Sequence, residues 1–274
     1  MNFTHLTFIR NIARNLGITR LLSIRSRIAN TKSTKYYQTH SPKFAEINML
    51  GYTYKLNTLS AYEWLRANAV YQDKHIIEAL LNYLEPGMDC WDIGASIGAY
   101  SCIFSLKNKP DGVVYAFEPE PASRQKLKNN VALNDVKNIV IYDLALGKEE
   151  NELQLVLAHD ATAGTHKLEE NAIQNPDNTQ LVKVTTADHL IEKDKLKIPG
   201  VLKIDVEGWE EQVLQGARQT ISEPSCKAIM IEMHFSIYAA EKDNGRAGRI
   251  SDILTSAGFT YLRWVDPSHL LAHR

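Results

Sequence analysis

The sequence is poor in cysteine and has no long hydrophobic segment. Its 274 residues include three cysteines, Cys90, Cys102 and Cys226, which are too few and too far apart for a disulfide framework or a zinc site. We therefore expect a reducing compartment, which favours a cytoplasmic protein. No apolar run approaches the roughly 18 uncharged residues that a membrane-spanning helix needs. Hydrophobic residues make up 44% and charged residues 23% of the chain, which argues against wholesale disorder and against a fibrous repeat.

Acidic residues are absent from the first 45 positions, which carry eight lysines and arginines. The remaining chain holds 23 of the 31 basic residues and all 32 acidic residues, so its net charge is −9. An acidic body argues against general nucleic-acid binding, which usually needs a broad basic face. We therefore expect no nucleic-acid partner.

The basic N-terminal segment has apolar residues at helical spacing from Phe8 to Ile28, with arginines on much of the opposite face. Three interpretations remain open: short helices that cover part of the core, a helix that contacts a membrane surface or an acidic partner, and an organelle transit peptide. Residues 31–42 are polar and predict a linker. The chain thus divides into a basic helical segment with its linker, residues 1–42, and a domain over residues 43–274.

Strand and helix patterns alternate along most of that domain. A β-hairpin is predicted at 45–57 and a helix at 73–84. Further strands are predicted at 90–93, 113–117, 139–143, 153–158, 181–186, 201–205, 228–233 and 260–265, with helices at 99–106, 121–133, 187–193, 208–221 and 248–257. This alternation is typical of an α/β fold with a mainly parallel sheet and helices on both faces.

A glycine-containing loop follows the first strand of that alternation. It reads Asp92-Ile-Gly94-Ala-Ser96-Ile-Gly98, and it differs from the nucleotide fingerprint G-x-G-x-x-G, in which the turn contacts a pyrophosphate. An acid beside the loop would repel a pyrophosphate and would suit a cationic ligand such as one with an ammonium group. In open parallel sheets, ligands bind beyond the carboxyl ends of the strands.

Acidic residues also follow the other predicted strands. The position of Glu118 suits a carboxylate that accepts both hydroxyls of a ribose, and Asp143 could accept a hydrogen bond from an adenine amine. Taken alone, each could also be an ordinary turn residue. The other polar groups at predicted strand ends are Asp205, Glu207, Glu232 and His234, and perturbed groups of this kind mark a candidate site.

These segments together resemble a known family. WDIGASIGAYS, YAFEPEP, LKNNVALN, LKIDVEGWEEQVLQGA and MIEMH occur in this order, and they are similar to the FkbM family of S-adenosylmethionine-dependent methyltransferases over roughly residues 70–265. The resemblance implies a Rossmann-like class I methyltransferase fold, with a mostly parallel seven-stranded sheet whose last strand is antiparallel. It also implies methyl transfer to a hydroxyl of a small molecule, a sugar or a lipid-linked glycan.

The resemblance also assigns roles by position. It places S-adenosylmethionine against Asp92, Gly94, Ser96, Gly98, Glu118, Asp143 and Asp205, and it places the acceptor near Glu207, Glu232 and His234. His159, before a polar stretch, is a further candidate contact for the acceptor. Because a hydroxyl is a poor nucleophile near neutral pH, it needs a general base or a metal ion. His234 is the first candidate for the base and Glu232 the second.

Three alternatives stay open at this stage. Asp205, Glu232 and His234 could hold a divalent metal, although we do not favour it. The chain could be a nicotinamide-dependent oxidoreductase on a similar sheet, but the missing G-x-G-x-x-G counts against that. It could also be a weakly active cofactor-binding or scaffold protein that docks through its basic N-terminus. Peripheral membrane contact through the same segment is a further open expectation.

Overall fold

The computed structural model describes residues 32–157, 167–169 and 179–274. The pattern predicted for residues 8–28 lies outside them. The first helix, α1, covers residues 32–40. The other helices are α2 Ala61–Ala69, α3 Lys74–Leu81, α4 Ala99–Lys107, α5 Pro121–Leu133, α6 Ala187–Asp194, α7 Glu210–Gln215, α8 Arg218–Ser222, α9 Phe235–Ala240 and α10 Arg246–Ser256. None of the helices in the described ranges is both long and apolar enough to cross a membrane.

Seven strands form the main sheet. They are β3 Cys90–Ile93, β4 Val114–Phe117, β5 Ile139–Tyr142, β10 Val201–Ile204, β11 Ala228–Glu232, β12 Tyr261–Trp264 and β13 His269–His273. Their order is β12-β13-β11-β10-β3-β4-β5, and neighbouring strands from β11 to β5 are parallel. The last strand, β13, is antiparallel to both of its neighbours. This confirms the predicted Rossmann-like class I methyltransferase fold.

The central strands β3 and β10 are buried on both faces, which explains why they read as continuous apolar runs. Successive residues point to opposite sides, so Leu202 and Ile204 pack into one core while Val201 packs into the other. The first core includes Val213 and Ile250 from α7 and α10. The second includes apolar residues of α3 and α4. Helices therefore cover both faces, as predicted.

A second, smaller sheet is inserted in the chain between β5 and β10. It has the order β6-β9-β7-β8, with β6 Ala145–Leu146, β7 Asn151–Val156, β8 Lys167–Glu169 and β9 Thr179–Thr185. Leu153, Leu155 and Val182 bury against the same core as the main sheet. The strands predicted at 153–158 and 181–186 thus exist, but they belong to this separate sheet.

The predicted hairpin is present, with β1 Phe44–Met49 pairing antiparallel to β2 Tyr52–Asn57. Asn130 of α5 and Asn134, which caps the C-terminus of that helix, hold it to the domain. Asn130 Oδ1 accepts from Asn57 N at 2.8 Å, and Asn134 Oδ1 accepts from Lys55 N at 2.6 Å. These amides satisfy backbone groups that β2 would otherwise leave unpaired at its edge.

The prediction of a linker at 31–42 is wrong for most of that stretch, because residues 32–40 are helical. Aromatic packing accounts for the difference. The Tyr36 ring stacks on Trp64 of α2 with a centroid distance of 5.3 Å, and Trp64 Nε1 donates to Ser33 Oγ at 2.8 Å. Tertiary contacts therefore outweigh the polar composition on which the linker prediction was based.

The prediction of one helix at 208–221 is also wrong. The stretch forms two helices, α7 and α8, which are separated at Gly216. A Cβ on Gly216 would lie 1.8 Å from the carbonyl oxygen of Gly147. This backbone contact requires glycine at the junction. Three main elements were not predicted: α2, α9 and β13.

Candidate active site

The glycine loop lies at the carboxyl end of β3 in the middle of the main sheet. Gly94 has a φ of +79°, and a Cβ there would lie 1.8 Å from the carbonyl oxygen of Asp205. Glycine is therefore required both by the left-handed backbone and by the close approach of the chain after β10. Gly98 also has a positive φ, and a Cβ there would lie 2.2 Å from Leu127 Cδ1.

Asp92 lies beneath this loop and is fully buried. Its Oδ2 accepts from Ser101 Oγ at 2.5 Å, and its Oδ1 lies 3.2 Å from Lys203 Nζ. The same ammonium donates to Gly94 O at 2.8 Å and lies 3.4 Å from Asp205 Oδ2. Lys203 therefore ties the glycine loop to both acids, and Asp92 supports the loop from below.

A cavity of about 230 Å³ opens above the loop. Six of the residues singled out in the sequence line it, namely Gly94, Ser96, Glu118, Asp205, Glu207 and Glu232. Apolar side chains of the small sheet, including Leu155 and Leu168, also line the cavity together with Trp209. The lining of the cavity is thus partly acidic and partly apolar.

Glu118 faces this cavity from the end of β4. Ser96 N donates to Glu118 Oε2 at 2.7 Å, and Glu120 N donates to Glu118 Oε1 at 2.9 Å. Burial raises the pKa of Glu118 to about 7, although the two backbone N–H groups oppose the shift. Each carboxylate oxygen keeps a lone pair for a further donor, such as a ligand hydroxyl.

Glu207 occupies a tight turn after β10. It has a φ of +49° and Gly208 a φ of +94°. The turn is held from both sides, because Arg246 Nη1 donates to Gly208 O at 2.9 Å and Gly208 N donates to Glu210 Oε1 at 2.9 Å. A non-glycine residue in the left-handed region is strained, and such residues are concentrated at functional sites.

His234 lies behind Glu207 and does not line the cavity. Its Nδ1 is 2.6 Å from Oε1 of the fully buried Glu210, and its Nε2 is 3.2 Å from Glu207 Oε2 and 3.8 Å from Asp205 Oδ1. Burial alone would lower the pKa of His234, but the hydrogen bond and the three carboxylates raise it to about 9. The ring is therefore an imidazolium near neutral pH.

Burial also raises the pKa of Glu207 to about 7, with Asp205 and Glu232 adding to the effect and His234 opposing it. Of the two groups, Glu207 is thus the one that faces the cavity and changes protonation near neutral pH. Near neutral pH, the Glu207 carboxylate can therefore take up a proton, whereas the charged His234 ring cannot.

Asp205, Glu207 and His234 are also the group of described residues whose donor atoms lie close enough together to share one metal ion. Glu232, which the sequence analysis placed in such a group, is not part of it. Its Oε2 lies 3.6 Å from His269 Nε2 on β13, a strand that the sequence analysis did not predict.

One further predicted contact is not brought to the cavity. Asp143 follows β5 as an exposed residue and does not line the cavity. His159 lies outside the described residues. Conversely, Arg66 of α2 does line the cavity, and its Nη2 is 3.3 Å from Ser96 Oγ. No motif surrounds Arg66 in the sequence, so only the packing of α2 reveals it.

Comparison with known proteins agrees with this arrangement. The profile of the methyltransferase FkbM domain matches residues 92–261. The hexuronic acid methyltransferase AglP of Haloferax volcanii is 26% identical over 212 residues, which are 77% of this chain and 82% of that protein. Methyltransferase 1 of Beauveria bassiana is 28% identical over 141 residues, 46% of this chain and 56% of that protein.

Among solved structures, methyltransferase FkbM from Methylobacillus flagellatus is similar, with a TM-score of 0.47 and 17% identity. The match covers 91% of this chain and 60% of that one.

Proposed function

The chain belongs to the FkbM family of methyltransferases, and we propose that it transfers the methyl group of S-adenosylmethionine to a hydroxyl of a sugar, a small molecule or a lipid-linked glycan. The observation that carries the proposal is the position of Glu118. Its carboxylate is fixed by two backbone N–H groups at the end of β4, and it faces the cavity above the glycine loop. This arrangement suits the two hydroxyls of a ribose.

The charge of the cavity supports the same cofactor. Glu118, Asp205, Glu207 and Glu232 give the wall an acidic character, which suits a ligand with a sulfonium and an ammonium group and disfavours a pyrophosphate. The apolar wall formed by Leu155, Leu168 and Trp209 offers a surface for a flat ring. The residues present therefore fit S-adenosylmethionine better than a nicotinamide dinucleotide.

The acceptor class has weaker but specific support. One relative, whose match covers 77% of this chain, is named a hexuronic acid methyltransferase. Sugars are therefore the first class of acceptor to test. Carboxylates around the cavity are good acceptors for the hydroxyl groups of such a molecule.

S-adenosylmethionine supplies an electrophilic methyl group, so this chain must bind, orient and deprotonate the acceptor. Glu207 is placed to take the hydroxyl proton, because it lines the cavity and its pKa is raised to about 7. The imidazolium of His234, held by Glu210, positions the Glu207 carboxylate. His234 is then a positioning residue, rather than the base that the sequence suggested.

A divalent ion between Asp205, Glu207 and His234 is the alternative way to activate the hydroxyl. Exhaustive chelation separates the two. Unchanged turnover after chelation supports proton transfer to Glu207, whereas turnover that is lost and then restored by added Mg²⁺ or Mn²⁺ supports the ion.

The test begins with calorimetric titration of the purified, cofactor-free chain with S-adenosylmethionine, and with NAD as the parallel ligand. We expect saturable binding of the sulfonium compound alone, abolished in Glu118→Ala. Binding of NAD instead would support the oxidoreductase. Transfer of a labelled methyl group to uronic acids and neutral sugars then tests the acceptor. Binding without transfer across a broad acceptor panel would support a scaffold protein.

A further inference from the structure

The cavity wall carries charges of both signs, but very unequally. Four carboxylates line it, and Arg66 is the single cation among the described residues of the wall. Lys203 lies beneath the loop, where Gly94 O, Asp92 and Asp205 already surround its ammonium. A negatively charged group entering the cavity therefore meets one cationic side chain on the wall.

Arg66 is well fixed relative to the glycine loop. Its helix α2 is capped by Ser60, whose hydroxyl accepts from Glu63 N, and Glu63 pairs with Lys126 of α5 at 3.0 Å. The guanidinium reaches Ser96 Oγ at 3.3 Å. Ser96 has a left-handed φ of +51°, and its N–H donates to Glu118. Ser96 therefore lies between the ribose-binding carboxylate proposed above and the guanidinium.

We propose that Arg66 binds the carboxylate of the methionine end of S-adenosylmethionine. The inference rests on the proposed function and extends it to a helix that precedes the region matched by the family profile. The cofactor has two cationic groups, which the four carboxylates suit, and one carboxylate, which they would repel. A guanidinium offers a planar pair of donors that matches a carboxylate, and it stays charged at every working pH.

This assignment fixes the direction of the bound cofactor. The ribose lies on the Glu118 side of Ser96, and the amino-acid end lies on the Arg66 side. A carboxylate of a uronic acid acceptor is the other possible source of the same chemistry, so the experiment must separate the cofactor from the acceptor.

The test pairs a change in the protein with a change in the ligand. Dissociation constants are measured by calorimetry for S-adenosylmethionine and for decarboxylated S-adenosylmethionine, on the full chain and on Arg66→Met. In the unmodified chain, loss of the ligand carboxylate should weaken binding by about 10- to 100-fold, the effect of a charge-assisted hydrogen-bonded pair. In Arg66→Met, S-adenosylmethionine should bind no better than the decarboxylated ligand, because the guanidinium that favours the carboxylate is gone while the wall carboxylates that repel it remain.

Three controls keep the result interpretable. Binding of 5′-methylthioadenosine, which lacks the amino-acid end, should be unchanged in Arg66→Met and shows that the variant is folded. Arg66→Lys should recover part of the discrimination between the two ligands. Arg218→Met removes an exposed arginine that does not line the cavity, and it should leave both affinities unchanged.

Failure of the role proposed for Arg66 and failure of the proposed function give different results. If S-adenosylmethionine binds, but removing its carboxylate weakens binding by the same factor in the unmodified chain and in Arg66→Met, the role of Arg66 is wrong and the proposed function stands. An effect of Arg66→Met confined to the binding of uronic acid also overturns it, because the guanidinium then serves the acceptor. If S-adenosylmethionine does not bind the unmodified chain, both proposals fail.

Discussion

At the scale of single residues, the segment Phe117-Glu-Pro-Glu-Pro121 contains two glutamates with different tasks. Glu118 turns its carboxylate to the cavity, whereas Glu120 accepts from Ala122 N and Ser123 N and caps helix α5. Proline at the first position of α5 leaves no unsatisfied N–H there. Position in the motif identified Glu118 as the ligand-facing acid, but only the fold shows that Glu120 is structural.

Cofactor binding should depend on pH through Glu118. Its pKa is raised to about 7, so in the free protein the carboxyl is mostly protonated below that pH, while a ribose needs the carboxylate. Affinity for S-adenosylmethionine should be full above pH 7 and fall about tenfold per pH unit below it.

Binding of S-adenosylmethionine near pH 6.5 should release a proton, which calorimetry in buffers of different ionisation enthalpy can detect. Glu118→Gln should bind weakly with no pH dependence, and a pH-independent unmodified chain would contradict the assignment.

Turnover should depend on Glu207. Glu207→Gln removes the proposed base and should lower turnover by about 10²- to 10⁴-fold, with the dissociation constant of the cofactor nearly unchanged. Because the pKa of Glu207 is raised to about 7, turnover at saturating cofactor should rise with pH through that value. Normal turnover of Glu207→Gln with the true acceptor would show that another group takes the proton.

A positioning role for His234 predicts a different signature. The imidazolium lowers the pKa of Glu207, so His234→Ala should move the rising limb of the pH–rate profile to higher pH as well as lower turnover. A loss of turnover with an unmoved limb would indicate that His234 acts only through folding.

At the scale of elements, the adjacent asparagines Asn129 and Asn130 of helix α5 differ in their burial and in their contacts. Asn130 is buried and links Asn57 of the hairpin to the carbonyl of Ile97 in the glycine loop. Asn129, beside it, is exposed and contacts Gln125. The helix therefore joins the hairpin to the site through one of the pair.

Asn130→Ala should destabilise the fold by roughly 1–3 kcal/mol, because it leaves buried backbone groups without partners. Asn129→Ala is the matched control and should change stability by less than about 0.5 kcal/mol, as is usual on the surface. Denaturant unfolding monitored by circular dichroism measures both. Equal effects of the two substitutions would mean that the link through Asn130 adds no stability.

The main-sheet strands from β3 to β11 could be predicted because they are short apolar runs that end in polar turns, such as Val201–Ile204 before Asp205. β13 was not predicted because His269–His273 is a short run with a histidine at each end and no alternation of apolar and polar residues. It becomes a strand by pairing between β11 and β12. Helix α2 mixes apolar, polar and charged residues over only nine positions, and the sequence analysis did not identify it as a helix. Arg66 was missed for the same reason.

At the scale of the whole molecule, the sequence predicted the class of sheet and the strand ends that form the site, because parallel strands bring their carboxyl ends to one edge. It did not predict that the stretches at 153–158 and 181–186 form a second sheet over the cavity. Pairing between β7 and β9 joins residues about 30 positions apart, and no local pattern specifies such a contact.

The basic N-terminus should be tested by a deletion that spares α1, because residues from Ser33 onward contact α2. Removal of residues 1–30 deletes five of the eight basic residues of the first 45. If this segment contacts membranes, the truncated chain should partition less onto vesicles that contain anionic lipid and equally onto neutral vesicles. Unchanged partition, measured by co-sedimentation, would discard the membrane role.

The indole of Trp209 is almost fully buried and lines the cavity beside Glu207. Its emission should change when a ligand fills the space next to the ring. Trp209→Phe would remove that signal and leave the background of Trp64, Trp91 and Trp264. Intrinsic fluorescence can therefore report occupancy without a label, including in screens of acceptors that are never methylated.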